Sequence, residues 1–130
     1  MYLLDTSAWI EIFRGTEKGK VVIRLTKNNA LFTPNMAIAE LSKWCYLNSQ
    51  NVKKIIEQVE QKSDGILASS RVSEINSGKL WFETNKNKKT KRNVGLVDCI
   101  IASIAQENNL TVITKDNDFN NFERIQKIII

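Results

Sequence analysis

With 130 residues and 14.9 kDa the chain has room for one domain, residues 1–130, and 42% hydrophobic against 25% charged residues excludes disorder and predicts a soluble globular fold. The longest apolar stretch, Val94 to Ala105, is broken by Asp98 and falls short of the roughly 18 residues of a membrane span; the opening Met1-Tyr2-Leu3-Leu4-Asp5 lacks the basic head of an export signal, so a cytoplasmic location is expected. Histidine is absent, which excludes imidazole catalysis and histidine zinc sites, and five of the positive residues behind the net charge of +5 fall between Lys86 and Arg92, leaving 14 of each sign elsewhere.

Tyr2-Leu3-Leu4 reads as a strand ending at Asp5, Thr6 and Ser7, all good helix caps, with helix from Ala8 to Arg14. An amphipathic segment runs from Glu17 to Lys27, and Ala30 to Thr33 is a second strand closed by Pro34, the only proline. Helices over Met36–Leu47 and Val52–Lys62 follow. Ile66 to Ser70 is ambiguous, Val72 to Asn85 has helical spacing, and Asn85 to Asn93 reads as a polar loop or fraying helix end. In a helix over Val94 to Asn108, Leu96, Ile100, Ile101, Ile104 and Ala105 recur on one side. Leu110 to Thr114 is a β-branched run and Lys127 to Ile130 a short terminal one. Strands alternating with helices predict an α/β fold, a mainly parallel central sheet wrapped by helices. Cys45 and Cys99 form no CxxC pair or zinc cluster and read as buried small hydrophobes.

Ligands in such sheets gather beyond the carboxyl ends of the strands, and the acids are informative there. Of the five aspartates, Asp5 closes the first strand and Asp116 with Asp118 follows the Leu110–Thr114 strand. Singly, each is explained by a turn or a helix cap. Asp98 is harder to explain that way, because its helical neighbours are Val94, Gly95, Ile101, Ala102 and Ala105. An unpaired carboxylate on that stripe costs several kcal/mol, by order of magnitude, whereas a helix N-terminus returns only about 0.3–1 kcal/mol. Glu40 lies in the apolar turn Met36-Ala-Ile-Ala-Glu-Leu41, with Lys43 as a surface partner in its plain reading. Two strand-end acids and two helix acids converging on one pocket would be tolerable only with protonation or a divalent cation. Carboxylate oxygens without histidine or thiolate suit Mg²⁺ or Mn²⁺.

Three segments taken together resemble the PIN-domain ribonucleases, and most closely the VapC toxins of prokaryotic toxin–antitoxin pairs. They are Leu3-Leu-Asp-Thr-Ser-Ala-Trp-Ile-Glu11, Ala37-Ile-Ala-Glu-Leu41, and Gly95-Leu-Val-Asp-Cys-Ile-Ile-Ala-Ser-Ile-Ala105 followed by Leu110-Thr-Val-Ile-Thr-Lys-Asp-Asn-Asp-Phe119. Their order and spacing extend over nearly the whole chain. The resemblance implies a PIN-like fold with helices on both sides of the sheet and metal-dependent hydrolysis of RNA phosphodiesters. It places the catalytic, metal-holding acids at Asp5, Glu40, Asp98 and Asp116, with Asp118 matching a further metal acid of some members. It also places supporting hydroxyls at Thr6 or Ser7 and at Thr114. One or two Mg²⁺ or Mn²⁺ ions would activate water, and a VapB-like antitoxin and a homodimer are the implied protein partners.

Lys86, Lys88, Lys89, Lys91 and Arg92 suit RNA phosphates, an antitoxin surface, or simple solvation. Trp9, Trp44 and Trp81 stand in apolar settings that favour packing over base stacking. Gly15-Thr-Glu-Lys-Gly-Lys20 lacks the spacing of a phosphate loop, and Val21 stands where its hydroxyl would be. Ser at position 7 disfavours a haloacid-dehalogenase-like phosphatase, and a receiver domain would need an acid pair beside the first aspartate. The alternatives that stand are a non-catalytic PIN-like module binding RNA or protein, and a housekeeping RNA-processing nuclease.

Overall fold

The computed structural model describes residues 1–86 and 93–130. The N-terminal half comprises β1 (Tyr2–Leu4), α1 (Thr6–Arg14), α2 (Glu17–Thr26), β2 (Leu31–Pro34), α3 (Asn35–Leu47), α4 (Val52–Lys62) and β3 (Gly65–Leu67). The C-terminal half comprises α5 (Arg71–Lys86), α6 (Leu96–Glu107), β4 (Thr111–Thr114), a 3-10 turn (Asn117–Asn121) and β5 (Lys127–Ile129). The strands form one sheet in the order β3-β2-β1-β4-β5, and every pairing is parallel.

Parallel neighbours cannot be joined by hairpins, so each connection crosses the sheet and a helix covers the face it crosses. Successive strand residues point to opposite faces, and the core divides accordingly. Leu3 and Val112 pack on one side with Cys99, Ile101, Ile104 and Phe119. Leu4 and Ile113 pack on the other with Trp9, Leu41 and Val59. The sheet is thus flanked by helices on both sides. Trp9 is fully buried, its indole N–H donating to Thr33 Oγ1 at 3.1 Å, while Trp44 and Trp81 are half-buried. Asp64 is a structural acid, its Oδ2 accepting the Leu31 amide at 2.8 Å where α4 leads into β3. Both thiols are buried, and burial pushes that of Cys99 up to about 12, so neither is a nucleophile near neutral pH.

The 15–20 segment is a helix-to-helix turn. Gly15 ends α1 in the left-handed conformation at φ 67°, and Thr16 caps α2 by accepting the Gly19 amide at 3.1 Å. Gly19 lies so close to α1 that a Cβ there would stand 2.2 Å from the Glu11 carbonyl oxygen. The helix expected from Val94 starts instead at Leu96, capped by Gly95. Its expected stripe is corrected too: Leu96 is exposed, and the buried set is Cys99 and Ile101 to Ala105. The first turn overhangs the core instead of packing in it. The ambiguous 66–70 stretch resolves into the edge strand β3 and the turn entering α5.

Candidate metal centre

Strand order reverses between β1 and β4: the chain runs from β1 outward to β2 and β3 on one side, then returns to β4 and β5 on the other. Crossovers leave such a point in opposite directions, which opens a crevice beyond the carboxyl ends of the two strands. In register, Leu4 pairs with Ile113, so the next residues, Asp5 and Thr114, face one another at its floor.

Asp5 begins α1 with its backbone, its carbonyl accepting the Ala8 and Trp9 amides at 3.1 and 3.3 Å, but its side chain makes no capping bond. Its Oδ2 instead accepts from Thr114 Oγ1 at 2.7 Å and from Ser7 Oγ at 3.0 Å. Each hydroxyl is fixed in turn by a backbone amide. Lys115 N–H donates to Ser7 Oγ at 2.9 Å and Asp116 N–H to Thr114 Oγ1 at 3.0 Å. A hydroxyl has one proton to give, so when both go to Asp5 the two oxygens are held side by side, 3.1 Å apart. Burial raises the Asp5 carboxyl above its ordinary range, and the hydrogen bonds from Thr114 and Ser7 oppose the shift.

Asp98 is the third residue of α6 after its cap, half-buried, where the helix dipole favours an anion. Asp116 caps the 3-10 turn, its Oδ1 accepting the Asp118 amide at 2.8 Å, and Asp118 sits buried in that turn. Carboxylate oxygens of Asp98, Asp116 and Asp118 lie within 4.8 Å of one another. Charges that close repel by about 3 kcal/mol per pair at an effective dielectric near 20. Burial foremost, then the charges of Asp116, Asp5, Asp118 and Glu40, push the Asp98 carboxyl up to about 7. Among the described residues no lysine or arginine pairs with Asp98 or Asp116. All-oxygen donors, crowded and partly desolvated, fit a hard divalent cation.

Glu40 corrects its sequence reading. Ala37, Leu41 and Cys45 form the buried stripe of α3, and Glu40 beside them is exposed. No ion pair to Lys43 occurs among the described residues; Thr6 Oγ1 donates to Glu40 Oε1 at 2.8 Å instead. Glu40 is outside the aspartate trio but acts on Asp98 electrostatically, as Asp5 does. All three expected hydroxyls therefore contact an acid: Ser7 and Thr114 hold Asp5, and Thr6 holds Glu40. Lys86 is exposed at the end of α5, and Lys88, Lys89, Lys91 and Arg92 lie outside the described residues.

Sequence reasoning missed Glu11. It is buried on α1, where its Oε1 accepts from Lys115 Nζ at 2.7 Å and from Arg14 at 3.4 Å, and Thr16 also donates to its carboxylate. The hydrogen bonds from Lys115 and Thr16 hold this carboxyl below its ordinary range. Lys115 stands between Thr114 and Asp116, so the pair ties α1 to the backbone that presents the acids. An acid three residues after Ala8, on the buried side of α1, was the available signal.

The PIN domain family profile matches residues 2–125. The chain belongs to the PIN domain family. Comparison with curated proteins by sequence finds no match. Several solved structures share the fold. The chain is similar to VapBC-1 from nontypeable Haemophilus influenzae, at 27% identity and TM-score 0.72, covering 98% of this chain and 96% of that one. It is similar to VapBC2 from Rickettsia felis, solved bound to a DNA fragment from its promoter, at 21% identity and TM-score 0.74 over 98% and 97% of the two chains. Mycobacterium tuberculosis VapC20, described as a sarcin-ricin loop cleaving toxin, aligns at 14% identity and TM-score 0.70 over 95% of each chain.

Proposed function

We propose that this chain is an endoribonuclease that uses Mg²⁺ or Mn²⁺ and acts as the VapC-type toxin of a toxin–antitoxin pair. The observation that carries the reading is the trio Asp98, Asp116 and Asp118, whose oxygens converge within 4.8 Å. The membership of the PIN family and the likeness to VapBC complexes support it. The trio would hold the ion or ions, with Asp5 and Glu40 adding negative charge beside it. A divalent ion, when bound, supplies Lewis-acid charge for the scissile phosphate and lowers the pKa of water. Ser7 and Thr114 fix the Asp5 carboxylate at its Oδ2, and Thr6 fixes Glu40, so both acids are oriented before substrate arrives. A VapB-like antitoxin and a second copy of the chain are the protein partners in this reading.

Because water activated by the metal, and not the ribose 2′-hydroxyl, would attack the phosphate, the expected products carry 5′-phosphate and 3′-hydroxyl ends. A magnesium-dependent RNA cleavage assay of the parent and Asp98→Asn, with end-group analysis, tests the proposal. Loss of cleavage in the variant is expected. Equal activity, or 2′,3′-cyclic phosphates formed without metal, would remove it.

A further inference from the structure

The acid cluster repels RNA phosphates wherever a cation does not mask it, so substrate must be held by other parts of the molecule. A cavity of about 940 Å³, lined by none of the clustered acids, forms an open groove between residues of α5 and residues 120–125. Each wall is tied to a segment that carries one of the clustered acids. The 3-10 turn that carries Asp118 also presents Asn120 and Asn121 to the groove, and Asn121 Nδ2 donates to the Asp118 carbonyl at 3.0 Å. At the far end of α5, Asn85 Oδ1 accepts the Val94 amide at 2.7 Å, which fixes the chain four residues before Asp98 next to the Lys86 end of the groove. From Asn76 to Lys86 the α5 wall runs about 15 Å at 1.5 Å per residue.

The lining is not that of an apolar ligand pocket. Lys79, Lys86 and Arg124 outnumber Glu83 and Glu123, and among the described residues only Lys79 of the three lies within ion-pair distance of an acid, Glu83 at 3.9 Å. Among the described residues Lys86 and Arg124 have no ion-pair partner. Phe82, on the same wall, is 62% exposed, so its ring is accessible from the groove. Free cations, side-chain amides and one exposed aromatic make up the set that tracks a single strand, cations for phosphates and the ring for a base.

We propose that this groove between α5 and residues 120–125 is the binding track for single-stranded RNA, delivering the strand to the acid cluster at its end. The proposal rests on the nuclease reading above. The test is fluorescence anisotropy with a labelled oligouridylate about twelve nucleotides long, in EDTA so that no cleavage occurs. Phe82→Ala should weaken binding about 5–100-fold. A Lys79→Ala, Lys86→Ala, Arg124→Ala variant should lower the slope of log affinity against log salt by about 2. All four positions are exposed, and circular dichroism and unchanged Mn²⁺ binding by calorimetry establish that fold and metal site persist. In cleavage assays the same variants should raise KM and leave kcat unchanged.

A parent that binds no RNA in EDTA would overturn the track, whereas a parent that cleaves no RNA with magnesium would overturn the nuclease reading on which it rests. A parent that binds, with variants that bind equally and keep the salt slope, would overturn the track alone. Unchanged RNA binding with a changed sedimentation coefficient would assign this face to a second copy of the chain and likewise overturn the track.

Discussion

At the scale of single residues, Asp5 shows why position in sequence underdetermines role. The residue after a strand and before a helix is a natural cap, yet its carboxylate turns to two hydroxyls whose oxygens are held by the amides of Lys115 and Asp116. Thr114→Val keeps the shape of the side chain and removes one donor. It should reduce Mn²⁺ affinity or cleavage about 10–100-fold, read by calorimetry and single-turnover kinetics. Asp98 gives a prediction with a sign. Its carboxyl is raised from 3.8 to about 7, so in EDTA the native state retains a proton that the unfolded chain has already lost. Its contribution to stability therefore falls as pH rises through that window and stays low above it. Asp98→Asn should melt higher than the parent at pH 8 in EDTA and show little difference at pH 4. Manganese should stabilise the parent far more at pH 8 than at pH 5, and a parent whose response to manganese is the same at both would contradict the shift.

At the scale of elements, α1 is held from two sides. Glu11 joins it to Lys115, and Gly19 lets α2 approach its backbone. Gly19→Ala would place a methyl group against the Glu11 carbonyl, and overpacking of this kind costs about 1–3 kcal/mol or more, visible as a lowered urea midpoint with an unchanged m-value. Glu11→Gln should cost about 1–3 kcal/mol at pH 7. Because the Glu11 carboxyl is held below 4.5, that advantage of the parent is complete above pH 4.5 and disappears as acid protonates it, which urea unfolding between pH 3 and 7 will measure. The elements themselves were largely legible, since runs such as Thr111-Val-Ile-Thr114 and the strand-to-helix junction at Asp5 and Thr6 carry their own local physics. The first turn of α6 was not. Hydrophobic periodicity placed Leu96 in the core, but periodicity cannot tell where a helix runs past the sheet it covers.

At the scale of the whole molecule, the sheet order explains why acids at positions 5, 98, 116 and 118 share a cleft. Sequence could suggest that strand-end acids converge, because parallel sheets have one functional edge. It could not supply the distances, the escape of Glu40 to the surface, or the Glu11–Lys115 tie, which depend on how the helices settle. A divalent ion that binds only the folded chain should add about 2.7 kcal/mol when present at a hundred times its dissociation constant, a gain that thermal melts with MnCl₂ and EDTA will resolve. The central partner of β1 is β4, and Leu4 meets Ile113, a residue 109 positions further along the chain. Contacts that distant in sequence close late and slowly. A chain interrupted before residue 111 would already contain Asp5, Glu40 and Asp98, yet lack the strand that gathers them, so truncated products of synthesis would carry the acids without the centre they build.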